Sequence, residues 1–310
     1  MIFLKNKGRL GNQLFIYALA LELKSNYPNE EIIIDNSEID SFGFSNDLLQ
    51  FKTKNFKYIH DNSYKRLSFI QKILIQYYNL ISKKYGYEKK YDFEKGITKI
   101  YSHFGLVIHT NGYIPYNLHL KDKCYFNGYF QSTRYFNDVQ KELRKDIVPK
   151  NVEDIKNTFL YKKIVSENSI CVTIRRGDFL KYKVHNVCGE TYFEKGISLI
   201  TSMVDNPVFF AFSDDIDWVK KNIKFDFPVY YESGNDNTST KLFLMYSCKH
   251  FIISNSTFSW WASYLSEYKD KIIISPDKWY NENVPCDLFQ PNWIKISCND
   301  SICNQIGNTI

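Results

Sequence analysis

Two arginines, a glycine and an aspartate stand together at Arg175-Arg176-Gly177-Asp178, directly after the apolar run 169–174. Adjacent guanidiniums can hold a diphosphate through charge-assisted, bidentate hydrogen bonds. A second polar group, Ser213-Asp214-Asp215, follows the apolar run 208–212. Carboxylates there can accept from base N–H groups or ribose hydroxyls. A third group, Asn255-Ser256-Thr257-Phe258-Ser259, follows the run 251–254, and hydroxyls with backbone N–H groups at a helix start make an anion site. Singly, each group has an ordinary structural reading: a surface ion-pair site for the arginines, helix caps for the other two. At one edge of one sheet, the three describe a pocket for a nucleoside diphosphate. Near the N-terminus, Gly8-Arg9-Leu10-Gly11-Asn12 forms a glycine turn. Asn12 there reads as a hydrogen-bonding ligand, as a helix N-cap, or as both.

Such clusters need a scaffold that gathers strand ends. Residues 2–5 read as a strand and 31–35 as the next. Between them lies a helix whose apolar face runs Leu14, Phe15, Tyr17, Ala18, Leu21 and which stops before Pro28. The second half alternates more plainly. Strands are expected at 169–174, 208–212, 229–231, 251–254 and 272–274, with helices at about 190–203, through Lys221, at 240–249 and around Trp260-Trp261. Alternating strands and helices predict right-handed βαβ units and parallel sheets, in which ligands lie outside the carboxyl ends of the strands. Residues 36–150 give no clear element order. A length of 310 residues fits two domains of ~150 residues, here expected at 1–155 and 156–310.

Composition excludes several classes. At 44% hydrophobic and 24% charged the chain is not disordered, and with 13 Gly and 8 Pro it is neither collagen-like nor linker-rich. Walker A needs Gly-Lys-Ser/Thr, which is absent, and Gly8-x-x-Gly11 is too short of glycines for a dinucleotide fingerprint. The seven cysteines include no Cys-x-x-Cys pair, so they read as free thiols in a reducing compartment. No signal peptide opens the chain and no run approaches the ~18 apolar residues of a membrane span, so a cytoplasmic protein is expected. Asp215-Ile216-Asp217 could hold a metal on a sugar nucleotide, but at a helix start it reads as capping, and no metal is expected.

The net charge of +6 is uneven. Residues 52–95 hold eleven Lys/Arg and four Asp/Glu, which is +7 and leaves the rest of the chain at −1. Within that segment Leu67, Ile70, Ile73, Leu74, Tyr77, Tyr78 and Ile81 recur at helical spacing. The favoured reading is a helix packed on its own domain with a solvated lysine face; the other is a basic amphipathic helix on an anionic membrane. Nucleic acid is not expected, because no binding signature accompanies the charge.

In order along the chain, Gly8-Arg9-Leu10-Gly11-Asn12-Gln13-Leu14-Phe15, Gly128-Tyr129-Phe130-Gln131-Ser132, Ile174-Arg175-Arg176-Gly177-Asp178, Phe212-Ser213-Asp214-Asp215, Leu244-Met245, Cys248-Lys249-His250 and Asn255-Ser256-Thr257-Phe258-Ser259-Trp260-Trp261 resemble the bacterial-type α-1,2-fucosyltransferase family. The opening loop is also similar to that of protein O-fucosyltransferases. The resemblance implies an α/β enzyme of GT-B type, two Rossmann-like domains facing across a cleft. The N-terminal domain would lie on the acceptor side and the C-terminal domain would bind GDP-L-fucose. It implies an inverting, metal-independent transfer of fucose to a galactoside hydroxyl in surface polysaccharide synthesis, with no cofactor. The acceptor would be a soluble or lipid-linked oligosaccharide, and a lipid-linked one would place the protein at the inner membrane face.

The donor residues expected on this basis are Gly11, Asn12, Gln13, Thr173, Arg175, Arg176, Ser213, Asp214, Asp215, Asn255, Ser256, Thr257 and Phe258. Arg175, Asp178, Asn12 and His185 are the expected catalytic residues, with Asp178 or His185 as base. Two departures stand out: Thr173 occupies a position where the family usually has His, and Lys241 one where it commonly has an acid. The rival readings are a transferase for another sugar nucleotide, a non-catalytic glycan or nucleotide-sugar binding module, and an unrelated Rossmann enzyme.

Overall fold

A computed structural model describes residues 1–298 of the chain. They divide into two compact units: Met1–Lys150 with Asn283–Phe289, and Asn151–Glu282 with the chain from Gln290 on. A single boundary in the sequence does not anticipate the return of 283–289 to the first unit.

The first unit is built on five parallel strands: β1 (Ile2–Lys5), β2 (Ile32–Asp35), β3 (Lys57–Ile59), β4 (Leu106–His109) and β5 (Cys124–Gly128). Their order is β3-β2-β1-β5-β4. The chain winds outward from β1 through β2 to β3, then crosses to β4 and β5. The strand order therefore reverses beside β1, between the carboxyl ends of β1 and β5, which is where such sheets bind ligands. The first helix, Leu10–Asn26, is buried on most of its surface, and Pro28 lies just past its end. Its N-cap is Arg9, without a side-chain cap bond. Asn12 is thus the third helical residue, and the N-cap reading of Asn12 is corrected.

The second unit holds six parallel strands: β6 (Asn168–Ile174), β7 (Pro207–Ser213), β8 (Val229–Tyr231), β9 (His250–Ile252), β10 (Ile273–Pro276) and β11 (Ile294–Ile296). Their order is β11-β10-β9-β6-β7-β8. All but the first residue of β6 is buried, as expected for a central parallel strand covered on both faces. Tyr192, Phe193 and Ile200 from the helix Glu190–Thr201 pack over it with Phe209 and Ile252. The reversal here lies between β6 and β9. Among the described residues, no disulfide joins the six cysteines; Cys303 lies outside them.

The stripe expected to pack at 67–81 is split. The helix runs Phe69–Ser82. Leu67 and Tyr78 are buried, but Ile70, Ile73 and Tyr77 face solvent. The buried side is made instead by Gln71, Ile75, Tyr78 and Ser82.

Candidate functional site

β6 and β7 run in register from Asn168↔Pro207 to Ile174↔Ser213, so the residues after them emerge side by side. β9 pairs with β6 on the other side. The three polar groups therefore leave adjacent strands at one carboxyl edge, around the point of reversal.

The first two groups interlock. The Arg175 guanidinium donates from Nε and Nη2 to Asp178 Oδ1 at 3.1 and 2.6 Å. Its Nη1 pairs with Asp214 Oδ2 at 2.9 Å. The other oxygen of Asp214 accepts from the Arg176 backbone N–H at 2.9 Å. Asp214 thus ties the β6 turn to the end of β7. Arg176 points elsewhere: its Nε reaches Asp215 Oδ2 at 3.3 Å, and its guanidinium lies 3.5 Å over the Trp218 ring. Both arginines are mostly buried, at 23% and 20% side-chain exposure, where a charge-assisted bond is screened less than on the surface.

Gly177 is required by this arrangement. A Cβ there would strike Asp214 Oδ2. Gly177→Ala must therefore displace the carboxylate that both arginine residues use. We expect it to cost about 1–3 kcal/mol, as overpacking does. An unchanged melting curve would show that Asp214 swings aside without cost.

The expected capping role of Asp215 is present: its Oδ1 accepts from Trp218 N–H at 3.3 Å at the start of the helix Ile216–Asn222. Asp217 is exposed and 3.9 Å from Lys220. The Ser213 hydroxyl accepts from Asp215 N–H. Among the described residues, no group of three or more His, Cys, Asp or Glu is placed to hold a metal ion.

The third group divides. Ser256 caps the helix Thr257–Leu265 by accepting from Phe258 N–H, which leaves Thr257 and Phe258 half-buried at its first turn. Asn255 is buried and donates to the carbonyls of His185 and Trp279, both at 2.9 Å. It acts as a tie for the loop that carries His185. Thr173 is buried within β6, and its hydroxyl accepts from Ser254 N–H at 3.2 Å, so it joins β6 to the β9 turn.

His185 stacks on Phe179 with ring centroids 5.2 Å apart and lies against Tyr280. Burial holds its imidazole below the usual histidine value, against the pull of Asp178. Burial thus favours the neutral form of the ring. Lys241 carries its own counter-ion: Nζ lies 3.0 Å from Glu232 Oε2. That carboxylate, at the end of β8, is almost fully buried, and burial raises its pKa against the lowering by Lys241. An acid is thus supplied to Lys241, on the helix Thr238–Tyr246, from the end of β8.

In the first unit the opening loop and the 128–132 segment meet at the reversal between β1 and β5. Gln131 Nε2 donates to Asn12 Oδ1 at 2.9 Å. Gly8 has φ +62°, and a Cβ there would crowd the Asn12 amide. Phe130, beside Gln131, also adopts a left-handed φ of +50°, a conformation that costs a non-glycine residue about 1–2 kcal/mol. Gln13 is wholly buried. It donates to the Gly8 and Ser45 carbonyls and accepts from Asp47 N–H. Gly11 sits within the first helical turn.

Sequence reasoning missed Trp218, Phe179, Glu232 and the structural need for Gly177. The one signal available was position: Trp218 stands three residues after the N-cap Asp215, in the first turn of the helix beside the strand end.

A family model for glycosyl transferase family 11 matches residues 1–297. The O-antigen biosynthesis glycosyltransferase WbnK of Escherichia coli is 29% identical over 93% of this chain and 98% of its own. An alpha-1,2-colitosyltransferase of the same organism is 30% identical over 93% and 96%. Among solved structures, the NodZ alpha-1,6-fucosyltransferase soaked with GDP-fucose superposes with a TM-score of 0.50 at 16% identity, over 89% of this chain and 94% of that one. That likeness places the fold: α/β, of GT-B type, with two Rossmann-like parallel sheets.

Proposed function

The chain belongs to glycosyl transferase family 11, and on that premise we propose that it transfers L-fucose from GDP-L-fucose to a galactoside hydroxyl with inversion, giving an α-1,2 linkage. The observation that carries this reading is the interlock of Arg175, Arg176 and Asp214 at the carboxyl edge of β6 and β7. Asp214 orients the Arg175 guanidinium, while Asp215 and Trp218 orient that of Arg176, at the edge where a parallel sheet binds a diphosphate. The second unit is then the donor domain, and the first the acceptor side, with Asn12 held by Gln131 and the Gly8 carbonyl by Gln13. The acceptor is a soluble galactoside or a lipid-linked surface-glycan precursor, the latter met at the inner membrane face.

In this mechanism the acceptor oxygen attacks C1 of the sugar while the bond from C1 to the β-phosphate oxygen breaks, and GDP departs with the electron pair. Negative charge builds on the β-phosphate. Arg175, Arg176 and the helix start at Thr257 offset it as fixed donors that need not reorganise. His185 takes the acceptor proton, a role favoured by its neutral ring. Asp178, bound to Arg175 through two hydrogen bonds, orients that guanidinium. No metal takes part, so excess chelator is expected to leave the rate unchanged. A rate lost to chelator and restored by Mn²⁺ would overturn this mechanism.

A second reading keeps the chemistry and changes the sugar. The E. coli relative named a colitosyltransferase and the Thr173 departure both favour testing it. Donor choice is read by turnover on GDP-L-fucose against GDP-colitose, with product linkage assigned by NMR. GDP, UDP and dTDP titrated against melting temperature test the nucleotide itself. At 100 times its Kd a ligand stabilises by about 2.7 kcal/mol, and a response to UDP or dTDP without one to GDP would refute the donor assignment.

A further inference from the structure

The helix Phe69–Ser82 is fastened along one side. Ser68 and Gln71 form a capping box, and the Gln71 amide donates to the carbonyls of Phe104 and Lys123 at 2.9 and 2.8 Å. Ile75 is buried, and Tyr78 donates to buried Glu94 at 2.6 Å while stacking on Phe93. At about 100° per residue, positions 71, 75, 78 and 82 share an arc of about 60°. Phe69, Ile70, Ile73, Tyr77 and Leu80 share an arc of about 100° on the nearly opposite side, and they are 47–78% exposed. A rigidly held helix thus presents a continuous apolar face outward. Single exposed apolar residues are common, but five on one face mark an interaction surface.

Charge selects the partner. Lys65 and Arg66 precede this face, Lys72 lies beside it, and Lys83 and Lys84 follow it, within a segment of net charge +7. A second copy of the chain would oppose one +7 segment to another. An anionic lipid surface offers both acyl chains for the apolar arc and phosphates for the lysines. Among the described residues no helix is long and apolar enough to cross a membrane, so the contact is one of lying in the interface.

We propose that the outward face of Phe69–Ser82 docks the protein in the plane of an anionic bilayer surface, apolar arc inward and lysines on the headgroups. This goes beyond the catalytic reading and stands without it. The test is co-sedimentation of the full chain with vesicles of phosphatidylglycerol and phosphatidylcholine, compared with phosphatidylcholine alone. Binding is expected only with the anionic vesicles and should weaken as salt rises. Ile73→Glu combined with Leu80→Glu should abolish it with an unchanged melting temperature, since both positions are exposed. Lys83→Glu combined with Lys84→Glu should weaken it at least ~25-fold, at about five-fold per lysine. Absence of binding by the unaltered chain, or undiminished binding by either double variant, would overturn the proposal. So would a solution dimer that Ile73→Glu with Leu80→Glu converts to monomer, because that result assigns the face to a second copy.

Discussion

Arg175→Lys is expected to lower kcat on GDP-L-fucose by ~10²-fold or more while the fold survives. Lysine keeps the charge but loses the planar fork. Arg175 uses that fork to reach Asp178 and Asp214 from three nitrogens, an arrangement a single ammonium cannot reproduce. Loss of one fixed donor to a developing anion typically costs 10²–10³-fold in rate, about 3–4 kcal/mol. Arg176→Lys should cost less, because the Arg176 guanidinium lies 3.5 Å over the Trp218 ring, and its replacement removes a cation–π contact before it removes a phosphate ligand. The comparison is kcat for both variants, with melting curves as the folding control. Near-normal turnover in Arg175→Lys would remove it from the reaction; a greater loss in Arg176→Lys would exchange the two roles.

The second large effect concerns stability in acid. His109, the last residue of β4, is 1% exposed. Its ring nitrogens meet the Thr98 hydroxyl at 3.2 Å and the Tyr135 hydroxyl at 3.1 Å. Burial pushes its pKa down to about 3, against ~6.5 in an unfolded chain. As pH falls below ~6.5 the unfolded state takes up a proton that the folded state refuses. The stabilisation is therefore complete above ~6.5 and is lost progressively down to about 3. At 1.36 kcal/mol per pKa unit the full loss is on the order of 5 kcal/mol. Urea midpoints measured from pH 7 to pH 4 should fall more steeply for the unaltered chain than for His109→Gln, which does not titrate. Gln will itself lower the midpoint at pH 7, so the slope is the diagnostic quantity. Parallel slopes for the two proteins would show that His109 is not the group responsible.

The legibility of the sequence varied with local physics. β6 and β7 were readable because central parallel strands are continuous apolar runs, and polar residues at their ends marked where each stopped. β3 is three residues long with only Ile59 buried, and β4 is four residues set between Gly105 and Thr110. Neither carries enough side chains for a period to emerge, which is why 36–150 gave no order. The helix at 69–82 misled for the opposite reason. It is apolar on two sides, and periodicity cannot say which side meets the protein. Asn12 has a good capping side chain, but the helix begins two residues earlier, behind Arg9.

By itself the sequence determined the class of chemistry and the parallel α/β scaffold. Residue types at strand ends and runs of buried residues are local properties that survive without coordinates. It also determined the family, since ordered motifs along one chain need no geometry. Only the tertiary structure decided which polar groups are already committed. Asp214 serves both Arg175 and Arg176 because β6 and β7 are neighbours, while Gln13 and Asn255 are bound by loops remote in sequence. A buried polar group must find its partner wherever the fold brings one, so whether a side chain holds a ligand or holds a loop is settled by its neighbours in space.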